Sequence, residues 1–288
     1  MLYQDTQGLV NFLKAYNLWN KKELGQNFLV NLQILETICN AAELSPEDNV
    51  VEVGTGLGVL TEQLAKRAQH VTTIEYDPTL IPILTNEFKK FSNVELIHED
   101  ALHHPLPTTP YKLVANIPYY ITSPLLNHFL QTQKLKSKDG CLFQKKRPQQ
   151  KRPSTIVLLV QKEVAEKICA QDGDHSILSL QVQIFGKPSI VGNVNKSSFF
   201  PQPQVDSAII KIAVYPEPLI TNTELFFKIT KAAFSQKRKT LLNSLQNGLQ
   251  LPKEEIEKML TNAGIEFMRR PQTLTIEEWE KLLAGSQN

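Results

Sequence analysis

Cysteine is scarce in this 288-residue chain, which carries three: Cys39, Cys141 and Cys169. Their spacing matches no zinc-binding or redox pattern, and an odd number argues against a disulfide framework. The chain also lacks a run of about 18 apolar residues, the minimum for a membrane-spanning helix. Its first residues, MLYQDTQGLVNFLKAYNLW, contain no charged region followed by an apolar signal core. We therefore expect a cytoplasmic protein with reduced thiols and no association with membranes.

Positive charge is concentrated in one segment rather than spread along the chain. The net charge is only +2, but Lys134 to Arg152 holds eight lysines and arginines against one aspartate. This segment is polar and rich in glutamine, a composition typical of a flexible surface loop. A block of this kind indicates either contact with a polyanion or a solvated tail. Hydrophobic residues (41%) and charged residues (21%) otherwise occur at the levels of an ordinary globular protein.

Short β-rich runs alternate with helical patterns through the first part of the chain. The runs are VVEV, HVTTIEYD, VELIHED, YKLVANIPYY and STIVLLVQ. This alternation predicts an α/β fold with a doubly wound, Rossmann-like parallel sheet whose ligands bind at the carboxyl ends of the strands. After Val214 the pattern is entirely helical, with helix starts at TNTE and TIEE. We expect one domain over residues 1–214 and a small all-helical domain over residues 215–288.

Three glycines, Gly54, Gly56 and Gly58, follow the first strand and precede a helical pattern. Glycine lets the backbone approach a ligand without interference from a Cβ atom, and the first N–H groups of the helix have no partner within the helix. The pattern is G-T-G-L-G rather than the dinucleotide-binding G-x-G-x-x-G. It fits a cofactor site, and it also fits a tight strand-to-helix turn.

Acidic side chains end the next two strands. Glu75 lies about twenty residues after the glycines, where an acid can accept hydrogen bonds from the ribose hydroxyls of an adenosine-containing cofactor. Asp77 competes for this role, but Glu75 lies nearer the strand. Asp100 ends VELIHED and is placed to accept a hydrogen bond from an adenine amino group. Parallel strands bring these ends to one edge, so we expect a single site.

The segment Asn116-Ile117-Pro118-Tyr119 follows the fourth strand. The lone pair of an aromatic amine is delocalised into its ring, so a site that accepts hydrogen bonds from both amino hydrogens favours a more nucleophilic, tetrahedral nitrogen. The Asn116 side-chain oxygen and the Pro118 carbonyl supply two acceptors, and the fixed φ of proline holds the second in place. Tyr119 can stack on a flipped base. The alternative is an ordinary turn after a buried strand.

These motifs together resemble the KsgA-type ribosomal RNA adenine dimethyltransferases, in order and over nearly the whole chain. The matching segments are KKELGQNFL, EVGTGLGVLT, IEYD, EDAL, NIPYYITSPLL, VLLVQKEVAEKI, SSFFPQPQVDSAIIKI and KAAFSQKRKTLLNSL. Members of that family use S-adenosylmethionine (SAM) to place two methyl groups on N6 of each of two adjacent adenosines near the 3′ end of small-subunit rRNA. The resemblance thus implies a SAM-dependent methyltransferase linked to ribosome biogenesis, with an assembling small subunit as its partner.

The resemblance also implies roles for individual residues. Those implied to contact SAM are Asn27, Leu29, Gly54, Glu75, Asp100 and Asn116, and Gly56 in the same glycine turn is expected to join them. Phe199 is implied to stack opposite Tyr119, with Phe200 as the neighbouring alternative. In the helical domain, Lys237, Arg238 and Lys239 are predicted to contact RNA phosphates, unless they form a solvated helix face. We expect a monomer that requires no metal.

Three departures from the family pattern stand out. Thr55 occupies a position where proline is usual, and Gln272 one where glutamate is usual, outside the SAM site. The basic Lys134–Arg152 segment resembles an insertion.

Competing interpretations remain open at the level of sequence. An Erm-type dimethyltransferase of large-subunit rRNA shares the GQNF, NIPY and QKE motifs, although AFSQKRKTLLNSL and the helical tail favour the KsgA type. A non-catalytic RNA-binding or transcription-factor relative would keep the fold but depend less on methyl transfer. The intact Asn116–Tyr119 segment argues against this interpretation. A role as an assembly factor is compatible with catalysis.

Overall fold

The computed structural model of the chain describes residues 6–18, 21, 24–131, 150–236 and 238–285. The helices are α1 (Thr6–Ala15), α2 (Leu32–Ala41), α3 (Val59–Ala65), α4 (Ile81–Glu87), α5 (Thr122–Leu130), α6 (Lys162–Ile168), α7 (Ile177–Gln183), α8 (Thr223–Ala233), α9 (Leu241–Leu249), α10 (Lys253–Asn262) and α11 (Ile276–Gly285). The strands are β1 (Phe28–Leu29), β2 (Asn49–Val53), β3 (His70–Glu75), β4 (Val94–His98), β5 (Lys112–Asn116), β6 (Thr155–Gln161), β7 (Gly186–Val194), β8 (Phe199–Phe200) and β9 (Ser207–Val214).

Seven strands form one mixed sheet in the order β4-β3-β2-β5-β6-β9-β7. The five strands from β2 to β6 are parallel, as the alternation of strands and helices predicts. They are rich in Val, Ile and Leu, and the five central residues of β6 are all buried, which is typical of a strand covered on both faces. The prediction of a Rossmann-like α/β fold is confirmed.

The sheet departs from the predicted all-parallel arrangement at β9, which pairs with β6 in the antiparallel direction. Gln161, the last residue of β6, pairs with Ser207, the first residue of β9. β9 therefore runs back along β6 from the carboxyl end of that strand. This return places the start of β9 at the carboxyl ends of the parallel strands.

The order of the parallel strands reverses between β2 and β5. From β2 the chain adds β3 and β4 on one side, whereas β5 and β6 lie on the other. Ligands of open α/β sheets bind beyond the carboxyl ends of the strands at such a switch point. The glycine turn after β2 and the Asn116 turn after β5 both lie at this point.

The chain divides into two compact units, comprising residues 1–165 with 189–214 and residues 166–188 with 215–288. The chain passes from the first unit to the second for the last time after Val214, at the predicted boundary. Residues 166–188, however, also belong to the second unit. The reason is local packing within that unit: α7 contacts α8, and the rings of Phe185 and Phe227 lie 6.3 Å apart. The separate functional roles of the two domains stay predictions.

The second unit is built from helices around Trp279, which is fully buried. Phe226 meets its ring edge-on at 6.4 Å, and Phe234 stacks on it at 6.2 Å. The helix starts predicted from sequence are present: Asn222 caps α8, and Thr275 and Glu278 exchange hydrogen bonds at the start of α11. Among the residues described, no helix is long and apolar enough to span a membrane.

Candidate active site

The glycine turn after β2 takes a backbone conformation that side chains disfavour. Gly54 and Gly56 have φ values of 78° and 56°, in the left-handed region. A Cβ on Gly54 would lie 3.5 Å from the carbonyl oxygen of Asn116. The turn therefore exposes backbone toward the space beyond the sheet, next to the end of β5.

A buried carboxyl group lies in the strand that precedes this turn. Glu52, in β2, is fully buried, and its Oε2 accepts hydrogen bonds from Thr61 Oγ1 (2.5 Å) and Thr73 Oγ1 (2.7 Å). The hydroxyl of Thr73 also lies 2.7 Å from the hydroxyl of Thr55. Burial raises the pKa of Glu52 to about 8, against the opposing effect of the two hydroxyls. Its Oε1 atom has no hydrogen-bond partner, which fits a protonated, neutral carboxyl group.

Glu75 is held rigidly at the end of β3. Its Oε2 accepts the N–H of Gly56 at 2.8 Å, while Oε1 accepts the N–H groups of Tyr76 at 2.9 Å and Asp77 at 2.8 Å. Burial raises the pKa of Glu75, and these three backbone donors act against that increase. A carboxylate offers about four acceptor positions, so about one remains for a ligand.

Asp100 ends the stretch that follows β4 and is half exposed. Its Oδ1 accepts the N–H of Leu102 at 2.9 Å, and its Oδ2 lies 2.9 Å from Nδ1 of His103. These contacts fix the orientation of the carboxylate while it still borders the cavity described below.

Hydrogen bonds hold two residues of the turn after β5, Pro118 and Tyr119, in place. Pro118 has φ −55° and ψ 133°, and its carbonyl accepts the N–H of Ile121 at 3.1 Å, which uses one of its two acceptor positions. The hydroxyl of Tyr119 lies 2.7 Å from the Oγ atom of Ser207 in β9. Burial raises the Tyr119 pKa, so the phenol stays neutral.

The two-stranded ribbon of β1 and β8 brings together two distant motifs. Leu29 pairs with Phe199, and Phe28 pairs with Phe200. Phe199 borders the cavity with 4% of its surface exposed, whereas Phe200 is not among the lining residues. Of the two phenylalanines considered from sequence, the structure brings Phe199 to the site. Asn27 reaches the same cavity from the turn before β1, where its side chain donates to the Gly25 carbonyl.

These elements enclose a cavity of about 320 Å³ at the switch point, within the range typical of small-ligand sites. All ten residues predicted to bind the cofactor or the target base line it: Asn27, Leu29, Gly54, Gly56, Glu75, Asp100, Asn116, Pro118, Tyr119 and Phe199. An adenosine-containing cofactor fits this lining. The glycine turn lets the backbone come close to a ligand, the carboxylates of Glu75 and Asp100 can accept hydrogen bonds, and the remaining walls are largely apolar. The role of each residue remains a prediction.

The predicted RNA-contacting residues lie in the second unit. Arg238 and Lys239 are exposed in the turn between α8 and α9, where Lys239 donates its N–H to the carbonyl of Gln236. Lys237 and residues 134–149 of the basic segment fall outside the described residues. Within the described ranges, no group of His, Cys, Asp and Glu has the arrangement of a metal site.

Several residues at the cavity were not singled out from sequence. Gln26, Tyr76 and Tyr120 border it, and Ser207 binds the hydroxyl of Tyr119. Asp77, the alternative to Glu75 in the sequence, accepts hydrogen bonds from Lys21 and Gln26 and is not among the residues that line the cavity. A single sequence holds no signal for such long-range pairs.

A seven-stranded sheet with a glycine turn and anchored acids at its switch point defines a Rossmann-like SAM-dependent methyltransferase. The family model for ribosomal RNA adenine dimethylase matches residues 17–283. The chain belongs to this family and is an rRNA adenine dimethyltransferase.

Individual relatives agree with this assignment. A ribosomal RNA small subunit methyltransferase A from Dehalococcoides mccartyi is 45% identical, over 94% of this chain and 89% of that protein. A dimethyladenosine transferase from Plasmodium falciparum has a solved structure that superposes with a TM-score of 0.75 at 30% identity, over 89% of this chain and 96% of that one. The 23S rRNA methyltransferase ErmE superposes with a TM-score of 0.68 at 28% identity, over 91% of this chain and all of that one.

Proposed function

We propose that this chain dimethylates N6 of two adjacent adenosines near the 3′ end of 16S rRNA within an assembling small ribosomal subunit. The observation that carries the proposal is the meeting of the Asn116–Tyr119 turn with the glycine turn in one cavity. The choice of the small subunit rests on relatives such as the 45% identical small subunit methyltransferase, compared with 28% identity to ErmE, a large-subunit enzyme.

One half of the cavity suits the cofactor. Glu75 uses its remaining acceptor position for a ribose hydroxyl, and Asp100 accepts from the adenine amino group. Gly54 and Gly56 allow close backbone approach, and Asn27 and Leu29 line the same cavity. SAM supplies an electrophilic methyl group on a cationic sulfonium, so this chemistry needs no metal ion.

The other half suits a flipped adenine. The Asn116 side-chain oxygen and the second acceptor position of the Pro118 carbonyl accept the N6 hydrogens, which keeps the nitrogen lone pair available. Tyr119 and Phe199 hold the ring between two aromatic faces. Catalysis then depends on positioning and electrostatics rather than on a strong base, since the N6 proton leaves after transfer. Because each base is methylated twice, the site must also admit the monomethylated amine.

The exposed Arg238 and Lys239, together with Lys237 between Gln236 and Arg238 in sequence, are proposed to bind rRNA phosphates and orient the enzyme. We further propose that the protein acts as a monomer in the cytoplasm.

The test is methyl transfer from labelled SAM to small ribosomal subunits purified from a strain that lacks this modification, followed by nucleoside digestion. Dimethyladenosine in 16S rRNA is the expected product. Transfer to large-subunit rRNA instead would replace the proposal with the Erm-type activity. Absence of transfer to both subunits, with SAM still bound, would favour a binding or assembly role.

A further inference from the structure

Asp77 is a buried carboxylate that the proposed mechanism does not use. It lies two residues beyond Glu75 and is 2% exposed. Its Oδ1 accepts from Lys21 Nζ at 2.8 Å and from the N–H and hydroxyl of Thr79, and its Oδ2 accepts from Gln26 Nε2 at 2.8 Å. Burial acts to raise the pKa of Asp77, but these donors prevail and lower it to about 2. The group is therefore charged at any ordinary pH.

Lys21 and Gln26 are also joined to each other. The backbone N–H of Lys21 donates to Oε1 of Gln26 at 3.0 Å. The amide of Gln26 thus bridges the Lys21 backbone and the Asp77 carboxylate, and the Lys21 ammonium group closes the ring of contacts. Such a closed network holds one arrangement more firmly than a single surface ion pair would.

The segment held by this network, residues 24–29, borders both halves of the cavity. It carries Asn27 and Leu29, which we assign to the cofactor side. A Cβ on Gly25 would lie 3.3 Å from Pro118 Cβ and 3.4 Å from the ring of Tyr120, on the side of the target base. The position of this segment therefore affects both halves of the site.

We propose that Asp77 is a positioning residue that fixes residues 24–29 against the cavity through Lys21 and Gln26, and so sets the affinity for SAM. The physical reason is preorganisation: a segment already held in place loses less conformational entropy when the cofactor binds. The proposal rests on the function proposed above, because it takes the cavity to be the SAM site.

The test replaces Asp77 by asparagine, which keeps its shape and removes its charge. Calorimetry with S-adenosylhomocysteine as the probe should give a Kd about tenfold higher for Asp77→Asn than for the wild type. The SAM KM should rise by a similar factor while kcat changes less. Trypsin should also release the peptide ending at Lys21 several-fold faster, because the ammonium group of Lys21 loses its ion pair with Asp77. Gln26→Met should shift each quantity in the same direction and provides a second variant if Asp77→Asn folds poorly.

Asp48→Asn is the matched control. Asp48 forms an ion pair with Lys112 at 3.0 Å and caps the Ser45 turn, but it precedes β2 at the end of the sheet opposite the cavity. It should cost comparable stability and leave the Kd for S-adenosylhomocysteine unchanged.

The outcomes separate the two proposals. A wild-type protein that does not bind S-adenosylhomocysteine would overturn the proposed function and this inference with it. A wild type that binds, with Asp77→Asn equal to it in affinity and trypsin resistance, would overturn the inference alone. Equal weakening by Asp77→Asn and Asp48→Asn would also overturn it, since the effect would then be general destabilisation.

Discussion

The hydroxyl of Tyr119 lies 2.7 Å from the Oγ atom of Ser207, which ties the turn after β5 to the first residue of β9. Ser207 is fully buried, and its register with Gln161 in β6 is fixed by the sheet. The aromatic ring proposed to stack on the target base is thus oriented by a strand more than 80 residues away in the chain.

Replacing Ser207 by alanine should lower kcat about tenfold, because small displacements of a positioning group are costly in an aligned reaction. The affinity for S-adenosylhomocysteine should not change, since Ser207 does not border the cofactor half. Steady-state kinetics on undermethylated small subunits measure the effect. Tyr119→Phe, which removes the other partner, should add little to Ser207→Ala in a double-mutant cycle. Fully additive losses would contradict a shared role.

Asn116→Ala should reduce methyl transfer by at least about a hundredfold, since it removes an acceptor aimed at the reacting amine. Circular dichroism and the melting temperature should stay close to those of the wild type. The matched variant Asn86→Ala, at an exposed position of α4, should transfer methyl groups normally. Full activity of Asn116→Ala would rule out the role proposed for this side chain.

Glu75→Ala should raise the Kd for S-adenosylhomocysteine at least tenfold. The variant loses the remaining acceptor position and releases the N–H of Gly56 that orders the glycine turn. Glu95→Ala is the control, because Glu95 is an exposed acid on the neighbouring strand β4, where it lies 3.5 Å from His70. Unchanged affinity in Glu75→Ala, measured by calorimetry, would remove this residue from the cofactor site.

Glu52 makes stability depend on pH in a defined direction. An ordinary glutamate has a pKa of 4.5, whereas burial raises that of Glu52 to about 8 in the folded protein. Between these values the folded state keeps a proton that the unfolded state has released, so the free energy of unfolding falls as the pH rises.

Glu52→Gln removes this dependence. The melting temperature of the variant relative to the wild type should therefore increase by several degrees from pH 5.5 to pH 9, whatever the offset between the two proteins at the lower pH. Calorimetric melting over this range provides the measurement. Parallel profiles for the two proteins would show that Glu52 does not titrate in this way.

Joint replacement of Arg238 and Lys239 by alanine should weaken binding to small subunits without altering the affinity for S-adenosylhomocysteine. If both side chains contact phosphates, the slope of log K against log salt should become shallower by one to two units, roughly one per lost contact. Filter binding at several salt concentrations measures it. Lys253→Ala, at an exposed lysine in α10 that pairs with Glu257, should leave the slope unchanged.

Sequence alone determined that the residues proposed to bind the cofactor would lie together. Gly54, Glu75 and Asp100 each follow a strand, and the carboxyl ends of parallel strands necessarily share one edge, so a local pattern was enough to predict their meeting. Asn116 follows the same rule at the end of β5. The start of α11 was equally predictable, because a Thr-x-x-Glu box acts within four residues.

Tertiary structure decided what depends on register and on distant partners. Phe199 rather than Phe200 borders the cavity, a choice that the sequence left open. The antiparallel return of β9 brings Ser207 to Tyr119, and packing of residues 166–188 with α8 moves them to the helical unit. Asp77 accepts hydrogen bonds from Lys21 and Gln26, more than 50 residues earlier in the chain. Each outcome depends on contacts between residues far apart in the chain, which a local pattern does not encode.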